Sequence, residues 1–473
     1  PIYDVHQRHH GGHCCPHRGY HAVTAPKEAP NAHRTSQPTP PVPTSATPGS
    51  ASAPSGSSPS GPVPSAAPPD PAPPDPAAPD PETPGPTPLP PRRFPALDGL
   101  RALAVFAVVL THTAFTTGRY ERGLGGSAFA RLDSGVAIFF VLSGFLLLRP
   151  WLTALATGRQ GPSLRVYFVR RFARIYPAYL LAVVAAFLLL PANRSAGIGD
   201  WVRHALLVQI YQPGHLRAGL TQTWSLAVEW SFYLCLPAIA AAIAWVCVRR
   251  WRPGGILLVL AVLALIPVPW ELLVVRAAPA LASAGLWLPA YLGWFAGGMA
   301  LAVLRVELDR DGDRAYPWTR RLTELGRYPL TCWAIAGLAW FVALTPLAGP
   351  RSLEPGTAAM TVTKHALYLV AALALVLPAV AGDSPAVQAL LGNRVMRYLG
   401  EISYGVFLYH LLVLDAVMAM LDLNTFTGDL MMVLPLTLAL TGLVAAASLR
   451  WVERPILRWA HRWRPSSTAE AAH

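Results

Sequence analysis

Charged residues and cysteines are scarce in this sequence. Only 13% of its 473 residues are charged, whereas 53% are hydrophobic. This balance excludes an ordinary soluble enzyme with two or three cores, because such a protein needs far more charge on its surface. The five cysteines include an adjacent pair, Cys14 and Cys15, and three that lie in or at the ends of apolar stretches. Since they form no recognisable framework, we expect no structural disulfide bond.

Prolines divide the chain into two compositions, with 26 of the 48 prolines in the first 91 residues. Residues 37–93 are rich in Pro, Ser and Ala, with too little apolar surface to offset their ordering entropy, so we predict a disordered, partly polyproline II linker. Residues 1–36 form a His-rich tail that holds seven of the 14 histidines. Its cysteines do not match a zinc-finger spacing, and we expect no metal site there. No apolar signal segment precedes Arg92, so we expect no secretory peptide.

Long apolar runs separated by arginine-rich loops fill residues 94–460 and predict a transmembrane domain. About 20 apolar residues suffice to cross a bilayer as a helix. The stretch 202–211 is too short to cross and is predicted to be a re-entrant or interfacial helix. A short cytoplasmic tail, 461–473, is predicted to follow. The fold class is therefore an all-α integral membrane protein with about ten transmembrane helices, at 97–116, 134–155, 173–191, 222–247, 255–273, 286–304, 328–347, 361–381, 397–420 and 430–450.

The distribution of basic residues predicts the orientation of these helices. If the N-terminus is cytoplasmic, the inner segments carry 24 arginines and the outer loops nine basic residues. Cytoplasmic loops carry the excess of Lys and Arg, so both termini are predicted to be cytoplasmic. The net charge of +13 is thus explained without nucleic acid, for which the sequence has no recognition motif.

Polar residues inside the apolar runs are the candidate functional residues, because a bilayer makes them costly to keep. Arg101 and His112 lie eleven residues apart, so they share a helix face about 16 Å apart along its axis. Snorkelling to the interface also explains Arg101. Glu229 lies at a depth comparable to that of His112. We expect Glu229 to interact with His112, directly or through another residue, and to orient it as a general base.

Further candidates lie on other helices. Ser143 precedes Gly144, a pair that permits close helix approach. An arginine cluster at the start of the third helix is suited to phosphates, although a positive-inside anchor explains it equally well. The remaining candidates and the arginines of this cluster are Trp224, Ser225, Tyr404, His410, Arg170, Arg171 and Arg174.

Six motifs in sequence resemble those of the acyltransferase family 3 integral membrane proteins, which O-acylate sugars of bacterial cell envelopes, antibiotics and related glycosides. They are Leu97-Asp98-Gly99-Leu100-Arg101 with His112, Phe139-Phe140-Val-Leu-Ser143-Gly144-Phe145, Arg170-Arg171-Phe-Ala-Arg174, Thr223-Trp224-Ser225-Leu-Ala-Val-Glu229, Ser403-Tyr404-Gly405-Val-Phe-Leu-Tyr409-His410 and Val452-Glu453-Arg454-Pro455. The resemblance covers residues 94–460. It implies Arg101 and His112 as the pair associated with activity, in a multi-pass protein of the bacterial cytoplasmic membrane.

The resemblance also implies a donor and an acceptor. Acyl-CoA, with acetyl-CoA as the family default, would place its phosphates near Arg101 and the arginine cluster, and its thioester beside His112. His112 would take the proton of an acceptor hydroxyl on a carbohydrate or glycosylated molecule, with Glu229 balancing the imidazole. Trp224, Ser225 or Tyr404 would line the pocket or stabilise the oxyanion. Direct transfer is preferred, with Ser143 or Ser225 as a covalent relay if donor and acceptor never meet.

Two other functions fit ten helices with buried charges. A transporter or flippase of a lipid-linked sugar is one, but the sequence shows no internal repeat or paired broken helices. A non-catalytic membrane sensor is the other, and the presence of both Arg101 and His112 argues against it.

Overall fold

A computed structural model describes residues 93–121, 123–351 and 356–462. These residues belong to one compact unit and contain α-helices, short 3₁₀ and π turns, and no β-strand. The predicted His-rich tail, nearly all of the proline-rich linker and most of the C-terminal tail lie outside the described residues. Sixteen α-helices follow in order: α1 Pro95–Thr116, α2 Gly123–Ala130, α3 Gly135–Thr157, α4 Leu164–Leu189, α5 Ile198–Ala205, α6 Thr223–Val246, α7 Pro253–Leu265, α8 Pro267–Trp270, α9 Leu288–Asp311, α10 Pro317–Gly326, α11 Pro329–Ala343, α12 Ala358–Val380, α13 Pro385–Leu391, α14 Arg394–Met420, α15 Leu430–Ser448 and α16 Arg454–His461.

Local sequence signals explain several of the helix ends. Proline occupies the first turn of α1, α7 and α11, where its missing N–H breaks no helical hydrogen bond. The side chain of Asn393 caps α14 by accepting a hydrogen bond from the amide of Met396. Gly158 ends α3 in the left-handed region at φ 66°, a conformation that costs glycine little.

Within the described residues, nine helical segments are long and apolar enough to cross a membrane. They coincide with nine of the ten predicted runs. The predicted seventh run, 328–347, forms only the 15-residue helix α11, whose length of about 22 Å is less than the thickness of a bilayer core. Pro346 follows this helix. A proline disfavours the helical conformation of the residue before it, which explains why α11 does not continue. The predicted 202–211 helix is shifted, because α5 begins at Ile198 and a separate 3₁₀ turn covers Gln209–Tyr211.

The outer surface of the bundle requires a lipid environment. The segment Pro253–Val275 has a mean hydropathy of 2.5, yet only 11% of its most apolar window is buried inside the protein. Leu188 and Leu189 of α4 are each 70% exposed. Apolar helices that cannot bury themselves against protein are stable in hydrocarbon and not in water. The chain is therefore a multi-pass membrane protein.

Small residues allow the central helices to approach closely. α3 packs extensively against α9, and α1 against α14. A Cβ atom added at Gly298 would lie 1.9 Å from the carbonyl oxygen of Val141, and one at Gly144 would lie 2.2 Å from that of Phe295. Only glycine fits at both crossing points of α3 and α9. This contact fixes α3, and with it Ser143, in the middle of the bundle.

Candidate active site

A cavity of about 130 Å³ lies between α1, α3, α4, α6 and α14. Its apolar wall includes Phe139, Phe140 and Phe407. Its polar wall combines three guanidinium groups with one carboxylate and five hydroxyl groups, which belong to Arg101, Arg171, Arg174, Glu229, Ser143, Ser225, Tyr233, Ser403 and Tyr404. The cavity therefore carries an excess of positive charge, suited to an anionic group.

Each of the three arginines in the cavity is held by a neighbour. Arg101 pairs with Asp98 one turn earlier on α1, with 2.9 Å between the guanidinium nitrogen and the carboxylate oxygen. The guanidinium carbon of Arg171 lies 5.8 Å from the ring centre of Tyr233. That of Arg174 lies 5.5 Å from the ring centre of Tyr404. Stacking on aromatic faces leaves the edges of these guanidinium groups able to donate hydrogen bonds.

The C-terminal motif supports the arginine cluster from behind. Glu453 ends a π-helical turn, Leu449–Glu453, that places its carboxylate in the protein interior. Its side chain is 3% exposed and lies 3.5 Å from Arg174. The next residue, Arg454, donates two hydrogen bonds to Glu401 of α14, at 2.9 and 3.1 Å. The motif thus positions Arg174 and joins the end of the chain to α14.

Glu229 has different partners from those that the sequence led us to expect. Its carboxylate accepts hydrogen bonds from the hydroxyl of Ser143 and from that of Tyr233, the latter at 2.7 Å. The expected contact with His112 is not among the hydrogen bonds of either residue, and Glu229 lines the cavity whereas His112 does not. Glu229 thus provides a negative charge inside the arginine cavity, and among the described residues no direct hydrogen bond joins it to His112.

The side chain that contacts His112 is that of His410. Nε2 of His410 lies 3.1 Å from Nδ1 of His112, and their ring centres are 5.1 Å apart. His410 is fully buried, and its Nδ1 lies 2.7 Å from the carbonyl oxygen of Phe407. His410 was one of the candidates from the sequence, but its contact with His112 was not predicted.

The hydrogen bonds of the pair determine which nitrogen of His112 is free. A carbonyl oxygen only accepts, so Nδ1 of His410 donates to Phe407 and Nε2 of the neutral ring is an acceptor. Nδ1 of His112 therefore carries the proton that it shares between His410 and the carbonyl of Val108, 2.9 Å away. Nε2 of neutral His112 then bears the lone pair, which is the state required of a general base.

Two further residues connect the histidine pair to its surroundings. The ring of Phe407 lines the cavity, and its centre is 6.2 Å from that of His410, so Phe407 adjoins both parts of the site. Asp133, just before α3, is close enough to act electrostatically on His112. The carboxylate of Asp133 accepts a hydrogen bond from Tyr368.

Seven of the eleven candidates from the sequence line the cavity, and four lie elsewhere. His112 and His410 form the pair described above. Arg170 lies outside the cavity. The ring of Trp224 packs against Tyr291, with centres 5.1 Å apart. The candidates that line the cavity are Arg101, Ser143, Arg171, Arg174, Ser225, Glu229 and Tyr404.

Two cavity hydroxyls are poor oxyanion donors in this arrangement. Tyr404 donates to the carbonyl of Ile175 at 2.7 Å, and Ser225 donates to that of Gln222 at 3.2 Å. Each has one proton to give, and that proton is already engaged. Tyr233 also lines the cavity and was not among the candidates from the sequence. Its spacing of four residues from Glu229 on α6 was the signal that would have placed both on one helix face.

The segment between α4 and α6 is tied to the histidine end of the site. Gln222 donates at 2.8 Å to the carbonyl of Leu408, two residues before His410. Within the segment, burial raises the pKa of Asp200, but hydrogen bonds from His215 and Arg217 outweigh burial, so the pKa lies below its usual value. Burial lowers the pKa of His204 to about 4. This segment therefore contains a buried, neutral histidine beside a charged network.

Comparison with known proteins identifies the family. The model of the Acyltransferase domain matches residues 94–450. Acyltransferase MdmB of Streptomyces mycarofaciens is 33% identical over 183 residues, which cover 36% of this chain and 46% of the relative. Peptidoglycan O-acetyltransferase OatA of Listeria monocytogenes is 26% identical over 383 residues, which cover 76% of this chain and 55% of the relative. O-acetyltransferase OatA of Staphylococcus aureus is 29% identical over 194 residues, 37% of this chain and 29% of the relative.

This chain belongs to the acyltransferase family that the domain defines. The family match extends over most of the chain and includes every helix from α1 to α15. The chain spans about half the length of the first two relatives, 46% and 55% respectively. No solved structure matches it.

Proposed function

We propose that this protein is an O-acyltransferase of the bacterial cytoplasmic membrane. It moves an acyl group, by preference acetyl, from acyl-CoA to a hydroxyl of a carbohydrate or glycosylated acceptor. The family match supports acyl transfer. Two relatives are named O-acetyltransferases, and the name of one specifies peptidoglycan. The observation that carries the proposal is the His112–His410 pair, which leaves Nε2 of His112 free to accept a proton.

The arginine cavity is the proposed site for the donor. Three guanidinium groups, from Arg101, Arg171 and Arg174, line one cavity and match the phosphate charges of coenzyme A. Arg101 and His112 share a face of α1 about 16 Å apart, a span of the order of an extended pantetheine arm. A donor bound in this way would bring its thioester past Phe407 to the histidine pair.

The chemistry is a direct transfer between two substrates. Nε2 of His112 takes the acceptor's hydroxyl proton as the oxygen attacks the thioester carbonyl. The new C–O bond forms, the C–S bond breaks, and the imidazolium returns the proton to the departing thiolate. His410 keeps the proton of His112 on Nδ1 throughout.

A covalent relay through Ser143 is the alternative mechanism that the geometry supports. Ser143 donates its hydroxyl proton to Glu229, and both residues line the arginine cavity. A carboxylate that accepts the proton of a serine is an arrangement that activates a nucleophile. In this route the acyl group would rest on Oγ of Ser143 before it reaches the acceptor.

Two measurements test the proposed function. Membranes containing the protein are incubated with acetyl-CoA labelled in the acetyl group, and the label in envelope glycans and glycosides is measured. We expect ester-linked label that depends on this protein. In a deletion strain, mass spectrometry of the same glycans should show the loss of an acetyl increment. An unchanged ester content together with altered distribution of a lipid-linked sugar would instead indicate a transporter.

A further inference from the structure

A second concave site lies between the ends of α3 and α6. It is an open groove of about 400 Å³, within the size range of small-molecule sites. Most of the residues in its wall are apolar, including Leu152, Leu155 and Ala244, and two arginines, Arg159 and Arg249, complete it. Pro237, inside α6, also lines the groove, and a proline at such a position kinks a helix and opens space beside it.

The groove is separate from the arginine cavity. Tyr167 stands between them, because its ring packs on Trp151 of the groove with centres 6.3 Å apart, and its hydroxyl donates to the carbonyl of Tyr233 at 3.1 Å. Tyr233 lines the cavity, whereas Trp151 lines the groove. A ligand in the groove would therefore not occupy the donor site.

The same type of backbone hydrogen bond, at the end of a helix, places each of the two arginines at the groove. The amide of Arg159 donates to the carbonyl of Ala154 at 2.9 Å, and that of Arg249 donates to Ala244 at 2.7 Å. Each bond closes the last turn of its helix on a residue that lines the groove. Val248 and Arg249 both take left-handed conformations, with φ of 52° and 54°. Such a conformation is strained for a β-branched residue such as Val248, so the surrounding fold must maintain this turn.

Charge and location together indicate the occupant. Both arginines are exposed, and within the described part of the chain neither forms a salt bridge with a carboxylate. They follow directly after the membrane segments that end at Thr157 and Val246, at the level where lipid headgroups meet water. The apolar wall lies beside the last turns of those segments, at the level of acyl chains.

We propose that this groove binds one anionic phospholipid, with the headgroup phosphate between Arg159 and Arg249 and an acyl chain along the wall of α3 and α6. The inference is independent of the acyl-transfer reaction. An anionic headgroup gains about 1 kcal/mol per nearby arginine, which is about fivefold in affinity. The two arginines together give a preference of about 25-fold over a headgroup of zero net charge.

Titration of delipidated protein with phosphatidylglycerol or phosphatidylcholine of identical chains, read by native mass spectrometry, tests the proposal. Wild-type protein should bind one phosphatidylglycerol about 25-fold more tightly than phosphatidylcholine. Arg159→Ala combined with Arg249→Ala should abolish that preference. Ala244→Trp, which fills the groove and leaves both charges, should weaken binding of the tight lipid by at least about tenfold.

A charge-matched control uses Arg320→Ala with Arg321→Ala, since both arginines are exposed on α10. This control should retain the wild-type preference. Equal binding of the two lipids by wild-type protein, or equal loss in the control, would overturn the proposal. A third outcome would also overturn the proposal: coenzyme A displaces the lipid, and the Arg159/Arg249 double variant no longer binds coenzyme A. The groove would then be a site for a nucleotide phosphate. Thermal unfolding of each variant identifies any that do not fold.

Discussion

Replacing His410 tests whether the histidine pair positions the base. His410→Phe keeps a ring in the fully buried site but removes the acceptor that lies 3.1 Å from Nδ1 of His112. The proton on Nδ1 keeps its second acceptor, the carbonyl of Val108 at 2.9 Å. The loss is therefore that of one neutral hydrogen bond, about 0.5–1.5 kcal/mol. At about 1.4 kcal/mol per factor of ten, kcat should fall by between about 2-fold and 12-fold.

The assay is acetyl transfer in membranes with acetyl-CoA varied, so that kcat and KM are separated. A residue that positions the base should lower kcat and leave the KM for acetyl-CoA unchanged. His410→Gln, whose side-chain oxygen can accept from Nδ1, should recover part of the rate. Tyr409→Phe is the matched control. Tyr409 lies beside His410 on α14, and the substitution removes a hydroxyl that is hydrogen-bonded at 3.1 Å to Ser448 of α15. Full activity in His410→Phe would refute the positioning role, and so would a loss as complete as that caused by removing His112.

Three other predictions follow from the site. Arg101→Ala removes one of the cavity's three guanidinium groups and should raise the KM for acetyl-CoA by about tenfold, with a much smaller effect on kcat; an unchanged KM would contradict its phosphate role. Ser143→Ala should retain most of the turnover if transfer is direct, whereas loss of turnover, together with acyl-enzyme trapped on wild-type protein but not on the variant, would establish the relay. His204, whose pKa burial lowers to about 4, stays neutral in the folded segment while the unfolded segment binds a proton below about pH 6.5. Stability of residues 198–211 should therefore fall as the pH drops from about 6.5 to about 4, by up to about 3 kcal/mol. Hydrogen exchange, corrected for its intrinsic pH dependence, should show this in the wild type and much less in His204→Gln.

The helices could be predicted from composition, but the contacts between helices could not. Apolar runs of about 20 residues identified nine membrane-spanning segments, because bilayer thickness fixes the length of such helices. The depth of Glu229 along α6 resembled that of His112 along α1, and the expected contact rested on this likeness. Depth gives the position along an axis and not the direction in which a side chain points. α1 packs chiefly against α14, so the partner of His112 comes from a helix almost 300 residues later in the chain.

The same limit applies to the rest of the candidate site. The spacing of Arg101 and His112 on one helix could be predicted from the sequence, because it depends only on helix geometry. The contact of Arg174 with Glu453 depends on the π turn before α16. The periodicity of the sequence does not predict that turn. The groove between α3 and α6 depends on two helix ends that meet only in the folded protein. Contacts within one helix were thus predictable, and contacts between distant helices required the structure.

The measurement that tests the central claim most directly is the turnover of His112→Ala. The variant is expressed to the wild-type level in membranes and incubated with labelled acetyl-CoA, and ester-linked label on the acceptor is counted. Removing a general base should lower kcat by about 100-fold to 10,000-fold, while binding of acetyl-CoA at the arginine cavity remains. Turnover at the wild-type rate in this variant would contradict the assignment of His112 as the base and the mechanism built on it.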